Sequence, residues 1–201
     1  MNEKVILIGA SGHGKVILDI IRAQGDTVIG FLDDNATGFC CGVPILGPVS
    51  DAKKYSEAKF IIAIGANHMR KRIAETLNVN WHTAVHPSAV VSPSAVIGEG
   101  TVVMANAVIQ AEAVVGDHCI LNTGCIVEHE NGICSYVHLS PRAALGGNVH
   151  IGEATHIGIG ACVRNNVSIC KNCIVGAGAA VVCDLDESGV YVGVPARKLR
   201  A

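Results

Sequence analysis

Aromatic side chains are nearly missing from this chain, which has three Phe, three Tyr and one Trp among 201 residues. Half of the residues are nonetheless hydrophobic, so the core must be built from Val, Ile, Ala and other small groups. A narrow interior that admits no large rings suits that bias. Basic excess is also lacking. Fifteen Lys and Arg face seventeen Asp and Glu, for a net charge of −2, and no basic cluster stands out, which excludes a nucleic-acid partner of the usual electrostatic kind. No apolar run approaches the roughly 18 residues of a membrane span. The opening Met1-Asn2-Glu3-Lys4 does not have the pattern of a signal peptide. The expected location is therefore cytoplasmic, without membrane insertion, and the nine cysteines are expected as thiols.

What is present is a count of six. From Val85 to Val181 every sixth residue is a branched aliphatic, through Val91, Ile97, Val103, Ile109, Val115, Leu121 and Val127 to Val175. The position four residues later is nearly always small or branched, as in Ala89, Ala95, Thr101, Ala107, Cys119, Cys125 and Cys173. A period of six fits neither a helix nor a simple strand. It predicts a left-handed parallel β-helix of hexapeptide repeats, three to a coil, over 85–184. Cys119, Cys125 and Cys173 then serve as small inward hydrophobes, which argues against a metal or redox role for the Cys170–Cys173 pair.

The first 80 residues follow other rules. An apolar run, Lys4 to Ile8, enters Gly9-Ala-Ser-Gly-His-Gly14 and then a helical pattern through Val16, Ile17, Ile20 and Ile21. Strand, glycine turn and helix predict the first unit of an α/β Rossmann-like domain over 1–80. The glycines let backbone N–H groups approach an anion at the helix N-terminus. The spacing is not the G-x-G-x-x-G of dinucleotide sites. Further strands at Val28–Leu32 and Phe60–Ile64 end in Asp33-Asp34 and Gly65, and a helix is expected around Arg70 to Leu77. All three strand ends should share the carboxyl edge of one sheet, with Asp33 and Asp34 placed to accept from a ribose. The tail, 185–201, leaves the six-residue register and carries Arg197, Lys198 and Arg200.

One coil departs from the habit of small residues: Val127-Glu-His-Glu-Asn-Gly132. A carboxylate beside an imidazole fixes its tautomer and favours its protonation, as a general base requires. His138 and His156 stand eighteen residues apart, one full coil, and should lie one above the other. His150 falls on a different face. A zinc site like that of the γ-class carbonic anhydrases would need three convergent imidazoles, and here that requires help across an interface.

Together Gly9-Ala-Ser-Gly-His-Gly14, Phe31-Leu-Asp-Asp34, Ile62-Ala-Ile-Gly65, Leu121-Asn-Thr123, Val127-Glu-His-Glu130 and Gly189-Val-Tyr-Val-Gly-Val-Pro-Ala196 carry a resemblance across nearly the whole chain. The sequence resembles the PglD/NeuD-type hexapeptide-repeat acetyltransferases, most closely those acting on UDP-4-amino sugars of bacillosamine-type pathways. The resemblance implies acetyl-CoA as co-substrate, no metal, and a homotrimer with active sites between adjacent solenoids. It implies that His129 is the catalytic base and Glu130 the residue raising its basicity. By the same resemblance Ser11, Gly12, His13, Asp33, Asp34 and Gly65 hold the nucleotide-linked sugar, with Asn122 near the same cleft. His138, Gly147, Ile159 and Ala177 match positions touching acetyl-CoA. The family usually has Ile-Gly after the His-Glu segment; Gly132 comes earlier here, so a changed turn is expected. The competing readings are an O-acetyltransferase acting on sialic acid or another sugar hydroxyl, and a non-enzymatic scaffold.

Overall fold

The computed structural model describes residues 3–199; Met1, Asn2 and Arg200 lie outside them. The chain opens with β1 (Lys4–Ile8), α1 (Gly12–Gln24), β2 (Thr27–Leu32), β3 (Phe39–Cys40), β4 (Val43–Gly47), β5 (Lys59–Ile62) and α2 (Asn67–Thr76). The sheet order is β3-β4-β2-β1-β5. Every pairing is parallel except the β3–β4 hairpin. The three expected strands thus end on one edge, as anticipated. The helix expected from Arg70 begins earlier, at Asn67, because Asn and His at its start carry no apolar signal. The hairpin and the 3-10 turn at Val49–Lys54 are additions, too short for a periodic pattern.

From Ala84 onward the backbone winds through short parallel strands, mostly two residues long, collected into three walls of eight, six and five strands. Partners lie eighteen residues apart, Val85 against Val103 and Leu121 against Leu139. This is the left-handed parallel β-helix the count of six predicts. The aliphatics from Val103 to Val181 are buried and form one continuous core with Ala107, Cys119, Cys125 and Cys173. A buried aliphatic contributes about 1.5–3 kcal/mol, so the stack is the main source of this region's stability. Each corner from Gly100 to Gly178 places one residue in the left-handed conformation, among them Asn106, Gly124, Glu130, Tyr136, Asn148 and Gly160. Glu130 has φ +60 and Glu112, one coil before, +61. The corner at His129–Glu130 therefore keeps the same turn as its neighbours, and the changed turn expected there is not found.

The first wall, which includes Ala84, Val102, Ile120, His138, His156 and Ile174 on its outer face, carries the N-terminal domain. Ile17, Ile20 and Ile21 of α1 share a core with Ala84, Val102, Met104 and Ile120. Burial is therefore continuous across the link between the domains. The tail is also more than an appendage, because Gly189–Val192 extends this wall beside Cys173–Val175 and Arg197–Lys198 pairs back on it. Leu185, Tyr191 and Ala196 close the end of the prism core.

Candidate active site

His129 and Glu130 stand on the corner between the second and third walls, between strands Ile126–Val127 and Gly132–Ile133. Both are exposed, and Glu130 Oε2 lies 2.9 Å from His129 Nδ1. That contact sets the proton on Nδ1 and leaves the lone pair on Nε2, the tautomer a base needs. One coil on, Gly147 lies directly beneath the ring. A Cβ at Gly147 would stand 2.5 Å from Nε2 and Cε1 of His129, so only glycine admits the imidazole in this position. The Gly147 N–H donates no hydrogen bond among the described residues, whereas its carbonyl accepts from Asn166.

The residues expected to hold the nucleotide sugar gather elsewhere, on the sheet edge above the first wall. Ser11 is the N-cap of α1 and makes no side-chain capping bond; Ser11 and Gly12 are exposed. Gly14 permits the helix to sit on the glycine turn, since a Cβ there would come within 2.4 Å of the Gly9 carbonyl oxygen. Asp33 is committed to the fold. Its Oδ2 accepts from Ala10 N at 2.8 Å and its Oδ1 from Asn35 and Ala36 N at 2.8 and 3.0 Å. Burial works to raise this carboxyl, but the three N–H donors outweigh it and hold the group below its ordinary value. Asp34 Oδ1 accepts from Val49 N at 2.8 Å. Their remaining lone pairs are what a ribose could use.

Gly65 forms, with Asn67, His68, His138, His156 and Ile174, part of a cleft of about 530 Å³ between the domain and the first wall. His138 and His156 lie in the expected stack, with centroids 4.7 Å apart and rings parallel. Asn122 Nδ2 is 3.1 Å from His138 Nε2, so Asn122 belongs with this cleft and not with His129. Ser140 Oγ lies 2.7 Å from His156 Nε2. Ile159 and Ala177 sit one above the other on the corner between the first and second walls, both exposed. His150 projects from the third wall, paired with Gly132, so the three imidazoles do not converge within one chain.

Behind the cleft lies Arg70, the largest fully buried side chain among the described residues, of which the sequence predicts only a place in a helix. It is 1% exposed. Nε donates to His118 O at 2.6 Å; one terminal nitrogen donates to Ile64 O and Gly65 O at 3.0 and 3.1 Å. The other donates to Asn67 Oδ1 and Tyr136 O, each at 2.8 Å. Five donors meet five neutral acceptors, clamping α2 onto the corner between the third and first walls. Asn67 Nδ2 and Lys71 extend the clamp to Ala154 O and Glu153. Burial pushes the guanidinium down to about 10, so it stays charged at neutral pH. Burial, then Arg70, pushes His13 down to about 4. Burial, then His156, Arg70 and His13, pushes His138 down to about 3 against a smaller lift from the Gly65 backbone. The cleft therefore holds neutral imidazoles beside a fixed cation. An i,i+3 spacing from Asn67 was the only trace of this clamp in the sequence.

Within one chain the chemistry and the cleft stand apart. His129 occupies the prism corner opposite the wall that carries the N-terminal domain. The second wall runs between the His129–Gly147 corner and the Ile159–Ala177 corner. The outward residues of its two-residue strands are all apolar, Val90, Val108, Ile126, Ala144, Cys162 and Ala180, with Val90 61% exposed, and Gln110, Glu128 and Arg164 follow them along one edge. A second zinc-like grouping, Glu3, Asp26 and His82, lies at the foot of the domain, where Lys59 already neutralises Glu3.

Comparison with known proteins gives this arrangement a context. Residues 4–77 match the PglD N-terminal domain, and 94–129 the bacterial transferase hexapeptide (six repeats). The chain is 40% identical to the acetyltransferase domain of PglB from Neisseria gonorrhoeae FA1090, solved with acetyl coenzyme A, over 99% of this chain and 100% of that one, with a TM-score of 0.95. It is 38% identical to PerB from Caulobacter crescentus, solved with CoA and GDP-perosamine, over 98% and 97% of the two chains, with a TM-score of 0.92. A 99-residue stretch is 46% identical to the UDP-N-acetylbacillosamine N-acetyltransferase of Bacillus subtilis (strain 168), covering 45% of this chain and 46% of that protein. In two curated relatives the matched stretch spans less than half of the protein, 18% and 46% of their lengths.

Proposed function

The chain belongs to the PglD-type hexapeptide-repeat acetyltransferases, and on that premise we propose that it moves the acetyl group of acetyl-CoA onto the C4 amine of a UDP-linked amino-deoxysugar. The observation that carries the reading is the His129–Glu130 pair, seated on Gly147 with its Nε2 free. In this reaction His129 Nε2 takes a proton from the sugar amine as the nitrogen attacks the thioester carbonyl. The Gly147 N–H donates to the oxygen as it gains charge. The C–S bond then breaks, CoA leaves as the thiolate, and the proton held on His129 returns to sulfur. No acyl-enzyme forms, so none of the cysteines is needed as a nucleophile. Much of the acceleration would come from holding two large substrates in contact.

The split between His129 and the cleft supports assembly as a homotrimer. One corner of the second wall offers the base and Gly147; the other offers Ile159 and Ala177, at the edge of the first wall whose outer face carries His138. Joining one corner of each chain to the other corner of the next is a heterologous contact, which gives a ring when the rotation between neighbours closes. The second wall, apolar at its strand positions, would then face the axis. In that ring Ser11, Gly12, His13, Asp33, Asp34 and Gly65 hold the nucleotide sugar, and Asn122, His138, Ile159 and Ala177 lie along the acetyl-CoA groove. The relative from Bacillus subtilis supports UDP, and the GDP-perosamine complex makes the nucleotide the point to test. A panel of UDP-, GDP- and dTDP-linked 4-amino sugars and of sialic acid, assayed with acetyl-CoA by thiol release, should give the highest kcat/KM with a UDP-linked amine. Preference for a hydroxyl acceptor would replace this reading with O-acetylation.

A further inference from the structure

Asn131 occupies an inward position of the repeat, where nearby coils carry Ala113, Cys125, Ala143 and Val149. It is 1% exposed, and a polar side chain inside an apolar prism must be fully hydrogen-bonded. Oδ1 accepts from Val149 N at 2.9 Å. Nδ2 donates to Gly146 O at 3.0 Å and to Glu128 O at 2.5 Å. The partners fix the amide's orientation, since only the NH₂ can meet two carbonyls.

Two other inward polar residues show which of these bonds are generic. Thr101 Oγ1 donates to Gly116 O at 2.9 Å and accepts from Cys119 N at 2.9 Å. Thr155 Oγ1 donates to Cys170 O at 2.9 Å and accepts from Cys173 N at 3.1 Å. In both, the partners lie fifteen and eighteen residues on, as Gly146 and Val149 do from Asn131. The coil-to-coil brace therefore needs only a hydroxyl. The third bond of Asn131 runs backward, across the corner that carries His129 and Glu130, and neither threonine makes its counterpart.

We infer that Asn131 is a positioning residue for the reaction, tying the carbonyl of Glu128, next to His129, and that of Gly146, next to Gly147, to one buried amide. The inference rests on the reading of His129 as base and Gly147 as oxyanion donor. The tether sets the height of the imidazole above the Gly147 N–H, and small displacements of reacting groups carry large rate penalties.

Asn131→Thr separates the tether from the brace, because Thr101 and Thr155 already make the brace with a hydroxyl. The expected variant melts within about 2 °C of wild type. Its kcat falls about tenfold, while KM for acetyl-CoA and for the nucleotide sugar stays within about twofold. Asn131→Ala loses the brace as well and should lower both the melting temperature and kcat. In a His129→Ala background Asn131→Thr should cause no further loss, measured in single turnover. Wild-type kcat in Asn131→Thr, or a loss that persists without His129, would overturn the proposal. Should the threonine variant unfold, Asn131→Ser supplies the same hydroxyl with less bulk and is read identically. Near wild-type turnover in His129→Ala alone would instead remove the base on which the inference rests.

Discussion

The two sides of this prism are built by different means. At the His129 corner the sequence supplies a regular coil with two substitutions of chemistry, and the strands on either side keep full register with their neighbours. At the opposite wall an α/β domain is fastened by an apolar core shared with the prism and by a buried guanidinium whose acceptors are all neutral. A rigid repeat can hold a base in place with a few local bonds. The domain needs a dedicated clamp, whose parts come from segments far apart in the chain, and on the proposed reading this clamp holds the domain that presents the nucleotide sugar. Binding and chemistry should accordingly respond to mutation separately.

The largest separation is expected at His129. His129→Ala should lower kcat by about 10² or more, with KM for acetyl-CoA nearly unchanged, in steady-state assays varying each substrate. Near wild-type turnover would move the base elsewhere. On the other side Ser11→Trp places a bulky ring over the N-terminus of α1 at an exposed residue that makes no capping bond. It should raise KM for the nucleotide sugar by about tenfold or more and leave kcat at saturation close to wild type. An equal fall in kcat would show that the two sides are not separable.

The clamp gives a smaller effect on stability. Arg70→Met leaves acceptors on Ile64, Gly65, Asn67, His118 and Tyr136 without their donor, a cost of about 3 kcal/mol. The prism core contains none of these groups, so calorimetry should show the N-terminal domain loosening first and the prism melting near its usual temperature. Trp81, the only Trp, packs edge-on against His118 at 4.7 Å and reports on this junction by fluorescence. A single unshifted transition would contradict the clamp.

Acid should act on the same junction more gently. His13 and His118 are pushed down to about 4 and His138 to about 3, in each case chiefly by burial. A histidine with a lowered folded pKa is neutral in both states above its unfolded value near 6.5. Between pH 6.5 and about 4 the unfolded chain binds protons that the folded one refuses, so stability falls as pH falls through that window. Trp81 fluorescence should change there before the far-ultraviolet signal of the prism does. Coincident changes would place the acid-sensitive step in the prism.

The difference between the two sides also decides how much was legible in advance. The prism could be read because one inward residue in six repeats seventeen times and any slip would show. The His138–His156 stack followed from the same arithmetic, since eighteen residues make one coil. The His129–Glu130 pair was visible because it interrupts the pattern. Arg70 was not visible, because its acceptors are carbonyls contributed by Ile64, His118 and Tyr136, and backbone groups leave no mark in side-chain spacing. The hairpin Phe39–Gly47 was missed for a related reason, its first strand being two residues long. In the sequence Asn131 is only an irregularity, because its meaning depends on carbonyls at Glu128 and Gly146.

The central claim is that a complete site takes its base from one chain and its acceptor cleft from the next. Full-length His129→Ala and Ser11→Trp proteins can be unfolded together in equal amounts, refolded, and assayed at a nucleotide-sugar concentration where each alone is nearly inactive. In randomly mixed rings about a quarter of the sites unite an intact base with an intact cleft. The mixture should recover about that share of wild-type turnover. A mixture no more active than its two components would place base and acceptor in the same chain and contradict the account.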